Sequence, residues 1–259
     1  VSFESFRDGM RRIGSGLAIN LVVLRSVPST NVLARRILAA LPPEVAPPPR
    51  TCLVAWEQTA GRGRQGRRWA SAAGAGLYCT LIEPLRGPEE VALLPLRVAV
   101  ALCRAVIEAG VAGCRLKWPN DLLVGSRKIG GVLIEVVAGR RAGSAALIGL
   151  GVNLAGDPGR LARGATTLAR EGAAGTTAAD LLDRAMRELG PLLLERAPGG
   201  EVVAAYRELL RHRPGDEVTW RQGGETLSGR FAGVDDLGRL LLDTPGGRRS
   251  VSVGDIIES

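Results

Sequence analysis

Two short apolar runs, TCLVAW (51–56) and GLYCTLIE (76–83), flank a stretch of opposite character, EQTAGRGRQGRRW (57–69). Within residues 61–68 lie Arg62, Arg64, Arg67 and Arg68, no acid, and the glycines Gly61, Gly63 and Gly66. The apolar runs read as buried core strands. The segment joining them is then a loop that is both strongly cationic and free in backbone conformation. Glycine admits positive φ and close backbone approach, and guanidinium forks match phosphate oxygens two at a time. A loop of this kind is suited to closing round a polyanion. Taken alone, it equally fits a solvated basic loop or an RGG-like nucleic-acid segment.

The rest of the chain bounds the choice. Its 259 residues fit one large domain, or one large and one small. Aromatic residues make up 3%, so the core must come from Leu, Val, Ile and Ala. A net charge of +8 favours anionic partners. Of the 34 basic residues only Lys117 and Lys128 are lysines, which makes arginine a compositional habit of this chain. Cys52, Cys79, Cys103 and Cys114 form no C-x-x-C pair, and three lie in apolar runs. That predicts buried free thiols and a reducing compartment, not a zinc site or disulfide scaffold. The sole histidine, His212, sits between Arg211 and Arg213 and reads as solvated, so Ser-His and Cys-His catalysis lack support. Without an apolar span of membrane length or a signal-peptide layout, the expectation is a soluble, cytoplasmic protein with no membrane partner.

In chain order, residues 17–25 read as a strand. Ser29 or Thr30 then caps a helix from Asn31 to Ala40, and a proline-rich loop (41–50) follows. Apolar residues at helical spacing predict a long buried helix over 91–109, with Pro95 near its first turns. Residues 114–154 read as a strand meander whose short turns imply antiparallel pairing. Residues 155–175 have the composition of a long mobile loop that orders on ligand binding. Helices are expected over 176–196, capped by Thr176 or Thr177 and broken at Gly190-Pro191, and over 201–211. From Pro214 short alternating strands between glycine-rich turns predict a small β-barrel. The fold class is α+β: a central mixed, largely antiparallel sheet with flanking helices, then the barrel. The expected domains are 1–212 and 213–259.

Four stretches carry the chemistry: Ser29-Thr30-Asn31, the loop at 57–69, KWPND (117–121) and GLGVN (149–153). Three of the chain's four asparagines, Asn31, Asn120 and Asn153, fall in them. Lysine kept where arginine is the habit suggests that a compact ammonium is wanted, and Lys117, between Leu116 and Trp118 at a strand end, is read as functional. Lys128 is read as a solvated turn residue.

These motifs, in this order and at these separations, resemble the biotin protein ligase family, whose core is similar to that of class II aminoacyl-tRNA synthetases. The likeness runs from about residue 20 to 259. It implies that ATP and biotin are substrates, that biotinyl-5′-AMP forms, and that biotin passes to a lysine of a biotin carboxyl carrier domain. By the resemblance, Ser29, Thr30 and Gln58 hold the ureido ring, with Asn31 in the same biotin-binding set. Arg62 and Gly63 supply backbone contacts, and Arg64 and Arg67 meet carboxylate and phosphate. Lys117 and Arg64 are the implied catalytic groups. Trp69, Asn120 and Asn153 are assigned to the nucleotide side, with Trp69 alternatively a core residue and Asn120 and Asp121 alternatively fixing the turn. Magnesium is expected with ATP, though no carboxylate cage for it is visible. Gln65 stands where many relatives carry arginine, and its function is expected to pass to Arg68. Fewer than 30 residues precede Ser29, which points to the monofunctional type without an N-terminal DNA-binding domain. The resemblance leaves room for a homodimer. Two rival readings stand beside it: a lipoate or octanoate ligase of the same fold, and a nucleic-acid-binding protein using the arginine loop.

Overall fold

The computed structural model describes residues 2–11, 19–42, 44–48, 50–87, 89–138, 143–156, 164–194 and 197–257. A short helix, α1 (Phe3–Met10), precedes β1 (Asn20–Val27), α2 (Thr30–Ala40) and β2 (Thr51–Gln58). β1 and β2 pair in parallel, as a strand–helix–strand crossover requires. The remaining partners are antiparallel: β3 (Gly76–Leu85), β7 (Ser144–Asn153), β6 (Arg127–Val137), β5 (Asp121–Val124) and β4 (Cys114–Lys117) complete a sheet in the order β1-β2-β3-β7-β6-β5-β4. The expected mixed, largely antiparallel sheet with flanking helices is what forms.

One face of the sheet carries α4 (Leu94–Glu108), α5 (Ala178–Leu189) and α6 (Gly199–Leu209). Most side chains of α4 from Leu94 to Val106 are buried, because the helix lies between the sheet and the other two helices. Each such Leu or Val contributes about 1.5–3 kcal/mol. The other face is covered by α2, where Ala34 meets Leu53, Ile82, Ala145 and Leu147 in a smaller cluster. All four cysteines are buried and free, with Cys103 Sγ 3.6 Å from Cys114 Sγ. Among the described residues no helix is long and apolar enough to cross a membrane.

Several boundaries differ from expectation. The long helix over 91–109 is two, α3 (Glu89–Ala92) and α4, separated at Leu93. Pro95 lacks an N–H and its ring excludes the carbonyl one turn back, so it tolerates only a first-turn position. Ser29 occupies the N-cap of α2 but makes no capping bond; Gln58 Oε1 on β2 accepts from Thr30 N–H at 2.9 Å instead. Thr177, not Thr176, caps α5, in a reciprocal box with Asp180. Thr177→Ala is expected to lower stability by about 1 kcal/mol in chemical denaturation while leaving activity intact. Residues 157–163 of the expected mobile loop lie outside the described residues. The part from 164 is docked: Lys128 N–H donates to Gly164 O (2.9 Å), Thr166 N–H to Lys128 O (2.8 Å), and Thr166, Thr167 and Leu168 are buried. His212 is buried, not solvated, with its ring 5.8 Å from that of Phe231.

The C-terminal strands β8 (Glu217–Gln222), β9 (Glu225–Val234), β10 (Leu240–Thr244), β11 (Gly247–Val251) and β12 (Asp255–Ile257) form an antiparallel sheet in the order β11-β10-β9-β8-β12. Among the described residues no ladder joins β11 to β12, so the sheet is not closed by hydrogen bonds. Its inner residues, among them Trp220, Phe231 and Leu242, belong to the same apolar core as α4. Trp118 Nε1 donates to Gly238 O (3.0 Å) and Arg207 Nε to Val234 O (2.8 Å), binding the C-terminal sheet to the β4–β5 turn and to α6.

Candidate active site

The loop after β2 folds back on itself. Gly63 N–H donates to Arg67 O (2.7 Å) and Trp69 N–H to Gly61 O (2.9 Å). Gln65 takes a left-handed conformation at φ 54° at the tip, exposed and away from the cavity beneath. Arg68, exposed but on the cavity wall, donates to Thr59 O at 3.3 Å. The loop roofs a cavity of about 380 Å³, whose wall includes Ser29, Thr30, Asn31, Gln58, Arg62, Gly63, Arg64, Arg67, Trp69, Lys117 and Asn120. Residues separated by up to 91 positions in the chain thus meet at one place, because β2, β5, β6 and β7 bring their ends together under the loop.

Arg64 anchors the roof on two sides. Its Nη1 donates to Asn120 Oδ1 (2.8 Å) and Asp255 Oδ1 (2.9 Å), and its Nη2 to Gly254 O (3.1 Å). Arg67 pairs with the other Asp255 oxygen. Asn120 in turn donates to Val132 O on β6. Asp255, at the start of β12, was not among the expected site residues. A single acid in a short C-terminal strand carries no local signal, and its partners are known only from the fold.

Beneath Arg64, both lysines of the chain converge on Asp121. Lys117 Nζ lies 3.6 Å from Oδ2 and Lys128 Nζ 2.5 Å from Oδ1. Lys128 also stands 5.4 Å from the centre of the Trp69 ring, within cation–π range. The reading of Lys128 as a solvated turn residue is corrected: it lies on β6, lines the cavity, and shares its counter-ion with Lys117. The signal was present in the rarity of lysine, which applied to both residues equally.

The opposite wall is neutral. Gln58 Nε2 donates to Ser71 Oγ (2.8 Å), which fixes its carbonyl toward Thr30. Behind Thr30, Thr80 lies 2.8 Å from Thr30 Oγ1 and 2.6 Å from Asn31 Oδ1, and Asn31 Nδ2 donates to Glu135 Oε2 (2.9 Å). Arg35 pairs with Glu135 at 2.9 Å. Burial alone would push the Glu135 carboxyl up, but the Asn31 amide and the Arg35 guanidinium outweigh it and hold the group below the ordinary glutamate value. Ser71 in a loop, Thr80 on β3 and Glu135 on β6 were missed because each is ordinary for its local sequence and its partners are distant in the chain.

The glycines of GLGVN make room for protein side chains. A Cβ on Gly149 would run into Asn31 Oδ1, and one on Gly151 would lie 2.9 Å from the Trp69 indole. The planar ring for which that backbone makes space is thus Trp69, whose buried Nε1–H has no hydrogen-bond partner among the described residues. Asn153, at the end of β7, is not on the wall of this cavity, and its Nδ2 donates to Thr166 O at 3.0 Å. Gly151→Ala should push Trp69 off β7 and lower stability, measurable as a fall in melting temperature.

Among the described residues six cationic side chains and one carboxylate, Asp121, line the cavity. Such a site suits a ligand with a concentrated negative charge at one end and a neutral, hydrogen-bonding body at the other. No cluster of three or more His, Cys, Asp or Glu among the described residues could hold a metal ion, and both Asp121 oxygens face ammonium groups. These residues do not form a resident magnesium site.

Comparison with known proteins agrees with this geometry. Residues 24–153 match the model of the biotin/lipoate A/B protein ligase family, and residues 215–257 match that of the biotin protein ligase C terminal domain. A biotin--[acetyl-CoA-carboxylase] ligase of Mycobacterium tuberculosis is 32% identical, over 98% of this chain and 94% of its own. Its counterpart in Paracoccus denitrificans is 32% identical over 79% of this chain and 88% of its own. The biotin protein ligase from Aquifex aeolicus, solved in complex with biotin and ATP, superposes with a TM-score of 0.73 at 27% identity, over 92% of this chain and 97% of its own. Matched in both of its sheets and along nearly its whole length, the chain belongs to the biotin protein ligase family.

Proposed function

We propose that this chain activates biotin with ATP and transfers it to a lysine of a biotin carboxyl carrier domain. In the first step a biotin carboxylate oxygen attacks the α-phosphorus of ATP, a new P–O bond forms, and pyrophosphate leaves. In the second, the carrier's lysine amine attacks the acyl carbon of biotinyl-5′-AMP, an amide forms, and AMP leaves with the bonding electrons. The observation that carries this reading is the polarity of the cavity: a cationic roof and end wall opposite a neutral wall of Thr30, Gln58 and Ser29.

Each group has a role that its position supports. Ser29, Thr30 and Gln58 take the ureido ring, which both donates and accepts hydrogen bonds. Lys117 and Lys128, gathered by Asp121, bring the carboxylate and α-phosphate together against their mutual repulsion and stabilise the charge that builds on phosphorus. Arg64 keeps Nε–H and one Nη2 hydrogen unspent by its three bonds, and these face phosphate oxygens when the roof is closed. Arg62 and Gly63 lie over the acyl end, and Trp69 and Asn120 over the nucleotide. Magnesium enters with ATP, on its phosphates. The C-terminal sheet, 213–259 as a unit, holds the roof shut through Asp255.

The rival readings lose support on specific grounds. The loop arginines line one cavity under a roof tied down at Asp255, not a groove that tracks a nucleic-acid backbone. The C-terminal sheet matches that of biotin ligases, which favours biotin over lipoate. Mass spectrometry of a carrier domain incubated with the chain, ATP, magnesium and biotin or lipoate tests the proposal. Biotin modification is expected; modification by lipoate alone, or by neither, would overturn it.

A further inference from the structure

From the neutral wall a chain of polar groups runs back through Asn31 to Thr80 and Glu135, which do not line the cavity, and its hydrogen-bond directions are forced from one end. Glu135 is an ionised acceptor, paired with Arg35 and holding Asn31 Nδ2 at 2.9 Å. An amide that gives its nitrogen to a carboxylate must turn its oxygen the other way, and Asn31 Oδ1 faces Thr80 Oγ1 at 2.6 Å. Only Thr80 can supply that hydrogen, since an amide oxygen donates nothing. A hydroxyl has one hydrogen, so the 2.8 Å contact between Thr80 Oγ1 and Thr30 Oγ1 must use the hydrogen of Thr30. Gln58 Oε1, which accepts Thr30 N–H at 2.9 Å, offers its second lone pair at 3.2 Å, a longer alternative that also keeps the hydrogen on a protein acceptor. The Thr30 hydroxyl therefore has its hydrogen turned inward, and only lone pairs remain for the cavity.

The geometry points to Thr80, Asn31 and Glu135 as a polarity relay that makes Thr30 an obligate acceptor and so selects a ligand N–H at that point. Thr80 is fully buried and absent from the cavity wall, so it acts as a positioning residue. Without the relay, only the 3.2 Å contact with Gln58 Oε1 holds the hydrogen, and the Thr30 hydroxyl can turn to donate as well as accept. The inference rests on the proposed placement of the biotin ureido group against Thr30. It adds that the group is recognised there as a donor, and that the preference is imposed by an ion pair between α2 and β6.

The test is calorimetric binding of biotin, and of a carbamate analogue in which a ureido N–H is replaced by ring oxygen, to the full chain. The variants are Thr80→Val, Thr80→Ser, Glu135→Gln and Thr30→Val. Thr80→Val keeps shape and removes the hydroxyl; it should weaken biotin about 10-fold and narrow the preference for biotin over the carbamate, with ATP affinity unchanged. Thr80→Ser should restore both readouts. If Thr80→Val fails to fold, Glu135→Gln carries the test, since its amide can turn either way and should also narrow the preference. Thr30→Val separates the two readings. If it weakens biotin while Thr80→Val and Glu135→Gln bind both ligands as the parent does, the relay is wrong and the placement stands. If it changes nothing, the placement of the ureido group is wrong and the relay falls with it.

Discussion

Lys117→Ala should slow biotinyl transfer by about 10²–10³-fold, the usual loss when one positioned charge-stabilising group is removed from a transition state. The expected change in stability is small, because Asp121 retains Lys128 at 2.5 Å. The ammonium sits at the end of β4 with its side chain 17% exposed, so its charge is little screened by solvent where the carboxylate and phosphate approach. Single-turnover measurement of adenylate formation and of transfer from preformed adenylate would locate the loss. Unchanged rates in both steps would remove Lys117 from the mechanism. Lys128→Ala provides the comparison. It takes away the shorter Asp121 contact and the cation over Trp69, so it should combine a rate loss with a measurable fall in melting temperature.

Arg64→Ala should release biotinyl-5′-AMP roughly 10- to 100-fold faster, the worth of one charge-assisted bond of about 1.5–3 kcal/mol. The same change leaves Asn120 Oδ1 and one Asp255 oxygen without Arg64 and unfastens the roof from both sheets. Trapping experiments that time the escape of labelled adenylate would read the effect directly, and retention equal to the parent's would count against the clamp. Asp255→Asn separates fastening from phosphate contact. It weakens the tie of Arg64 and Arg67 to β12 but leaves both guanidinium groups present, so a partial acceleration is expected. Arg67 is 56% exposed, and its own removal should matter less than that of Arg64, at 22%.

Much of this was legible beforehand for a physical reason: it depended on neighbours in the chain. Glycines among arginines require a loop, and alternating apolar residues between short turns require antiparallel strands. Ser29-Thr30-Asn31, Gln58, the arginines of the loop, and Lys117, Asn120 and Asp121 of KWPND were singled out from local pattern and resemblance, and they line one cavity. Failures came where a residue's meaning lies in a distant partner. Pro95 splits a helix that periodicity alone would continue. Lys128 looked like a solvated turn residue until β6 placed it beside Asp121 and Trp69.

The sequence by itself determined the order of strands and helices, the cationic loop, and the family, because spacing and residue type are one-dimensional properties. Tertiary structure alone decided which groups face one another: Asp255 under Arg64 and Arg67, two lysines on one aspartate, and Thr80 between Thr30 and Asn31. Hydrogen bonds and ion pairs act over a few ångströms in space, and separations of up to 191 residues along the chain leave no mark in local composition.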